Sequence, residues 1–194
     1  MRFTILTALL AATAASAVRI PESEPDGIYM LDFGSGAVAR RGGSYTLIEE
    51  FNKTAAAQKR DGYTLLEAFE KQSAADDEEH KRALDDPQTS CLPNTKLDGV
   101  NYQQATSLFK TRANAGDKIP GGKGIASKYG SVVVYACSWR GDNPTSAAEL
   151  DDSMAKIDSD CHTLQAGACG MEPWGKNYGR DNIANQVCWG HGLS

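Results

Sequence analysis

The sequence predicts an α+β domain: a small antiparallel or mixed sheet with two helices packed on one face, an α/β sandwich, stabilised by disulfides and preceded by a loosely structured pro-segment. Three observations lead there. The run Ser131-Val132-Val133-Val134-Tyr135-Ala136-Cys137 is apolar without alternation, as in a strand covered on both faces. Two segments of helical periodicity flank it. All five cysteines lie from Cys91 onward, and with 194 residues, 41% of them hydrophobic, the chain has room for one modest domain.

The first element is an address. Arg2, the apolar stretch Phe3 to Ala12 and the small residues Ala15-Ser16-Ala17 read as a secretory signal peptide (residues 1–17) cut after Ala17. Residues 18–82 then form a pro-segment. They hold no cysteine and are punctuated by the basic pairs Arg40-Arg41, Lys59-Arg60 and Lys81-Arg82. Kexin-type proteases of the secretory pathway cut after Lys-Arg pairs, so release at Asp61 or Ala83 is expected. The polar run Ala74-Ala75-Asp76-Asp77-Glu78-Glu79 gives Lys81-Arg82 the exposure that cleavage needs. Within this segment Gly27 to Phe33 and Ser44 to Ile48 are β-prone and suggest a loose hairpin. Leu65, Leu66 and Phe69 suggest a short amphipathic helix over residues 63–71. Asn52-Lys53-Thr54 is an acceptor sequon, which would place a glycan on Asn52.

Residues 83–194 make the cysteine-bearing domain. Asp98 caps a helix in which Tyr102, Ala105, Leu108 and Phe109 recur at helical spacing, ending near Asn114-Ala115-Gly116. Ile119-Pro120-Gly121-Gly122 forces a turn, and the lysine after it, in Gly121-Gly122-Lys123-Gly124, lacks the spacing of a phosphate-binding loop. The strand Ser131 to Cys137 follows, and Gly141-Asp142-Asn143-Pro144 breaks it. Ser146 and Glu149 then form a capping box, ahead of a core-facing stripe of Leu150, Met154, Ile157 and Cys161. Leu164 to Cys169 and Ile183 to Cys188 are the last strands, joined by a loop containing Trp174, Tyr178, Gly179 and Arg180.

Four of the five cysteines, Cys91, Cys137, Cys161, Cys169 and Cys188, pair in an oxidising compartment and one stays over. A second helix running back over the strand before it ends about 20 Å from Cys137 at ~1.5 Å per residue. Bridged cysteines need Cα atoms within ~7 Å, which disfavours Cys137 with Cys161. Cys137 with Cys188 is a reasonable pair, and Cys161 pairs with Cys91 or Cys169.

Composition excludes some functions. Net charge is −5, from 20 basic and 25 acidic residues, so no broad cationic surface is available for nucleic acid. Mean hydropathy is −0.43, and no apolar run of ~18 residues occurs beyond the N-terminus, so no membrane span is expected. No nucleophile elbow, H-E-x-x-H or phosphate loop is present. His80, His162 and His191 lack the paired spacing of a zinc site, so no metal or cofactor is expected. Asp151-Asp152 and Asp158-Ser159-Asp160 read as the solvated face of the second helix, and Arg140-Gly141-Asp142 as a chance tripeptide in a turn. Trp174, Tyr178 and Arg180 are the candidate contact residues, because aromatics with an arginine in a Gly-rich loop stack on sugars or anchor a partner protein. The other reading, favoured by the need of such side chains for burial, is that they fold the loop onto the sheet edge.

Taken together, Tyr135-Ala136-Cys137, Asn143-Pro144, the helix ending Asp160-Cys161, Cys169-Gly170, Trp174, Tyr178-Gly179-Arg180-Asp181 and Cys188 resemble small fungal secreted proteins of effector type. The strand, helix, strand layout is similar to the killer toxins that smut fungi secrete. The resemblance covers roughly residues 91–190. The chain departs from the group's cysteine pattern after the first helix and just before the second. The resemblance implies a secreted, non-enzymatic protein that binds an extracellular protein or glycan of a host or competitor. The alternative is a secreted hydrolase without a recognisable motif, whose pocket would gather acids such as Asp142 and Asp181 with His162. A protease inhibitor presenting the Cys161 to Cys169 loop is a third reading.

Overall fold

A computed structural model describes residues 18–33, 43–51, 84–113 and 118–188. The signal peptide, the three basic pairs, Asn52, the expected helix over 63–71, His80 and His191 lie outside the described residues. The elements are β1 (Gly27–Asp32), β2 (Ser44–Glu50), β3 (Pro87–Lys96), α1 (Gly99–Ala113), β4 (Lys118–Ile119), β5 (Lys123–Tyr129), β6 (Val132–Ser138), β7 (Asn143–Pro144), α2 (Ala147–Cys161), β8 (Gln165–Met171) and β9 (Lys176–Asn182). The fold is α+β. Seven strands form one antiparallel sheet in the order β2-β1-β5-β6-β9-β8-β3, and β4 pairs with β7 separately. The sheet is therefore larger than the small one expected.

Strand β6 lies at its centre and explains both cores. Val132, Val134 and Ala136 join a core with Ala105 and Phe109 of α1 and Leu150, Met154, Ile157 and Cys161 of α2. Val133, Tyr135 and Cys137, on the alternate positions, join a second core. Helix α1 packs against β5 and β6, and α2 against β3 and β8. Asp98 accepts from Asn101 N at 2.8 Å to open α1, and Ser146 accepts from Glu149 N at 3.1 Å to open α2. The reciprocal half of the capping box is not used. Ser146 N donates instead to the Tyr178 hydroxyl, because the Glu149 carboxylate is held by Lys176 and Tyr178.

Three readings of the sequence are corrected. Residues 18–33 and 43–51 are not a loosely structured appendage. The hairpin β1–β2 is present, but β1 also pairs with β5 along its whole length. Val18, Ile20, Tyr29, Leu31 and Phe33 enter the second core, and Val18 bridges to Val187. Next, the expected loop around Tyr178 and Arg180 is strand β9, and the expected strand from Ile183 to Cys188 is turn and irregular chain. A strand so rich in Gly, Asn, Asp and charged residues is recognisable only once its neighbours are known. Finally, β3 and β5 flank α1 where no strand was expected. Pro87 and Pro93 are tolerated in β3 because it is an edge strand paired only with β8.

The bridges are Cys91–Cys161, tying β3 to the end of α2, and Cys137–Cys188, tying β6 to the irregular chain that follows β9. Cys169 is free and buried, and burial pushes its thiol up to about 11.

Candidate functional site

Where β6 and β8 end on the same side of the sheet, two connections meet. One is the turn Trp139 to Asp142, which follows Ser138. The other is the 3-10 turn Glu172–Trp174, closed by Gly175. The Trp139 and Arg140 amides both donate to Gly175 O, at 2.9 and 3.4 Å. Gly175 has φ of 63°, and a Cβ there would lie 2.4 Å from Arg140 Cβ, so the close approach requires glycine. Buried Asn143 joins the turns from inside, its Nδ2 reaching Ser138 Oγ at 2.8 Å and Trp174 O at 3.1 Å. Outside, Arg140 Nη2 meets Glu172 Oε1 at 2.6 Å. With side chains 60% and 48% exposed, this pair orients the surface and adds little stability.

Beneath the corner lies a buried charge network. Lys176 and Glu149, with side chains 1% and 7% exposed, meet at 2.5 Å. The ammonium also donates to Pro144 O at 2.8 Å and lies 5.2 Å from the Trp174 ring centre and 5.3 Å from that of Tyr178. The Tyr178 hydroxyl donates to the same Glu149 oxygen at 2.8 Å. Burial, then the Glu149 charge, raises the Tyr178 phenol well above its ordinary value and keeps it a donor. The pair thus carries further hydrogen bonds at both ends, from Tyr178 to Glu149 and from Lys176 to Pro144 O. Trp174, partly exposed, thus rests on a fixed cation.

Of the three residues nominated from sequence, only Trp174 keeps a solvent-facing surface. Tyr178 and Arg180 are fully buried. Arg180 fastens the two helices to the sheet: Nη2 meets Asp158 Oδ1 at 2.5 Å, Nε donates to Gln165 O at 2.9 Å, and the guanidinium lies 5.0 Å from the Tyr102 ring. The residues missed by sequence are Trp139, Arg140 and Glu172, which complete the corner around Trp174. The Trp139 indole N–H is buried and has no acceptor among the described residues.

The acids of a hydrolytic site are not brought together. Asp181 pairs across to Val133 near the start of β6, whereas Asp142 lies beyond its end, about 17 Å away at ~3.3 Å per residue. His162 is exposed at the end of α2, where its carbonyl accepts from Gln165 N. Asp151 pairs with Lys110 and Asp160 with Lys156 on the surface. Lys156 beside Asp160 lowers its carboxyl below the ordinary value. A shallow depression elsewhere is lined by Glu22, Glu24, Asp26, Lys128 and Ser131 and holds none of the nominated residues. Among the described residues no cluster of metal-ligating side chains occurs, and no helix is long and apolar enough to cross a membrane. No family model, curated protein or solved structure matches the chain.

Proposed function

We propose that the protein is a secreted, non-enzymatic effector or toxin-like module of the fungal type it resembles. In this reading an α/β sandwich matured by signal-peptide and dibasic cleavage binds a protein or glycan of a host or competitor, and the corner of Trp139, Arg140, Glu172 and Trp174 is its contact surface. The observation that carries it is the construction of that corner. Two partly exposed tryptophans and an Arg–Glu pair are held by a glycine contact, a buried amide and a buried cation, so little conformational freedom remains to be lost on binding. Two disulfides are compatible with export.

The test is binding of labelled protein to intact host and competitor cells and to their wall polysaccharides. Replacing Trp139 and Trp174 together by Ala is expected to weaken binding at least ~30-fold, the loss of one hot spot of about 2 kcal/mol, with thermal stability retained. Undiminished binding overturns the choice of surface. Release of soluble oligosaccharide from the walls would favour the hydrolase alternative.

A further inference from the structure

We infer that residues 18–51 are a permanent subunit of the working protein, so that cleavage after Lys59-Arg60 and Lys81-Arg82 yields a two-chain molecule held together without a covalent bond. The inference rests on the dibasic cleavage of the reading above and is independent of its contact surface.

The strand order carries it. Strand β1 lies inside the sheet, between β2 and β5, and is registered with β5 from Gly27↔Lys128 to Asp32↔Lys123. Without it, β5 would become an edge, presenting a row of unpaired backbone groups beside a core strand, the arrangement that invites aggregation. Five of the twelve buried residues of the second core come from this segment, and Ile28 reaches the first core as well. Losing the segment would uncover Ala126, Val133 and Tyr135.

Polar contacts fasten the segment along its length. Val18 and Val187 exchange backbone hydrogen bonds at 3.3 and 2.8 Å, next to the Cys188 bridge. Asp26 and Lys128, with side chains 5% and 3% exposed, pair at 3.0 Å, and the same Asp26 oxygen accepts from Gly130 N at 2.9 Å. Phe51 N donates to Asp26 O at 2.8 Å, and the Phe51 ring stands edge-on to Tyr129 with centres 5.6 Å apart. Every one of these contacts joins residues 18–51 to one another or to residues after 83, so cuts after Arg60 and Arg82 break none of them. No cysteine precedes Cys91, so no disulfide can join the two chains.

The test treats the purified chain from Val18 to Ser194 with a kexin-type protease and weighs the products in denaturing and in native solution. Two chains in denaturant, residues 18–60 and 83–194, and a single one-to-one assembly in native solution are expected. A folded 83–194 chain that travels alone overturns the inference, and so does a chain that the protease leaves whole. Asp26→Asn is expected to raise the dissociation constant of the N-terminal chain at least tenfold, whereas Ile48→Asp, at a residue 40% exposed on β2, leaves it unchanged. Equal effects of the two substitutions count against the inference. The cell-binding assay on the uncut protein reports on the contact surface alone, so failure of one reading is separable from failure of the other.

Discussion

On one side of β6 the alternate residues Val132, Val134 and Ala136 meet α1 and α2, whereas on the other Val133, Tyr135 and Cys137 meet the N-terminal arm and the chain around Val187 and Cys188. Apart from Ile28, the buried residues of the helix side lie between Leu97 and Tyr178, and its buried charges stand in closed sets: Glu149 with Lys176 and Tyr178, Arg180 with Asp158. The other side is assembled from residues of 18–33, 126–137 and 183–188; there Lys128 compensates Asp26, but among the described residues the buried carboxylate of Asp181 is left without a cation. Its Oδ1 accepts from Asn182 N at 2.7 Å and Asn185 Nδ2 at 2.6 Å, while Oδ2 has no partner among the described residues. Burial accordingly raises the Asp181 carboxyl above its ordinary value, and burial, then the Asp181 charge, raises the Tyr135 phenol as well. Of the three buried acids, Asp26 and Glu149 are each paired with a buried lysine, whereas Asp181 has only hydrogen-bond donors beside it among the described residues.

The largest break in this contrast comes from Lys176→Met, which strands Glu149 in the core. A loss of about 3–5 kcal/mol is expected from urea unfolding, and adding Glu149→Leu should restore part of it, since an apolar pair replaces the buried ion pair but leaves the buried Tyr178 hydroxyl without its acceptor. Phe109→Ala, at a residue 1% exposed and edge-on to Tyr178, is expected to lose about 3–5 kcal/mol on the helix side. Leu31→Ala, fully buried on the opposite side, is expected to lose about 2–5 kcal/mol in the same single transition. A loss below ~0.5 kcal/mol, the size of an ordinary surface change, would mean that the N-terminal segment lies outside the cooperative unit.

Asp181→Asn has a smaller effect and a definite sign. An acid whose folded value is raised holds its proton in the native state at pH values where the unfolded chain has lost it, so native stability falls as pH rises through that window. The variant is therefore expected to melt higher than the parent at neutral pH. That advantage should vanish below the ordinary carboxylate range, where both states are protonated; a melting series from pH 3 to 8 reads the difference. The smallest change concerns Cys169, whose buried thiol, at about 11, should take up no alkylating agent in the native protein at pH 8 and one equivalent once unfolded, as mass spectrometry will show.

Helix α2 was legible because its signals are local: the Ser146 cap and the stripe Leu150, Met154, Ile157 and Cys161 fall within four turns. Strand β6 was legible because it is apolar on both faces. Strand β5, Lys-Gly-Ile-Ala-Ser-Lys-Tyr, was not, because its burial depends on distant partners. Ser127 donates to Ala105 O at 2.6 Å from inside the core, and Lys128 needs Asp26. At the candidate site, Trp174 was visible as an aromatic in a Gly-rich stretch. Trp139 was not, because nothing in its spacing shows that the chain following β6 will fold against Gly175. For Tyr178 and Arg180 the sequence left a contact role and a structural role both open, because their partners, Glu149 and Asp158, lie more than twenty residues away.

By itself, then, the sequence determined the two helices, the central strand, the confinement of cysteines to the later part of the chain and the aromatic character of the corner. These are properties of composition and of spacing within a few residues, and local backbone geometry converts them directly into structure. The tertiary structure alone decided the strand order, the pairing of buried charges and the entry of residues from 18–33 into both cores. Each of these is a contact between residues far apart along the chain, as Asp26 and Lys128 are at a separation of 102 residues. Such a contact stabilises only the one arrangement in which the sheet closes around it, and no local pattern records it.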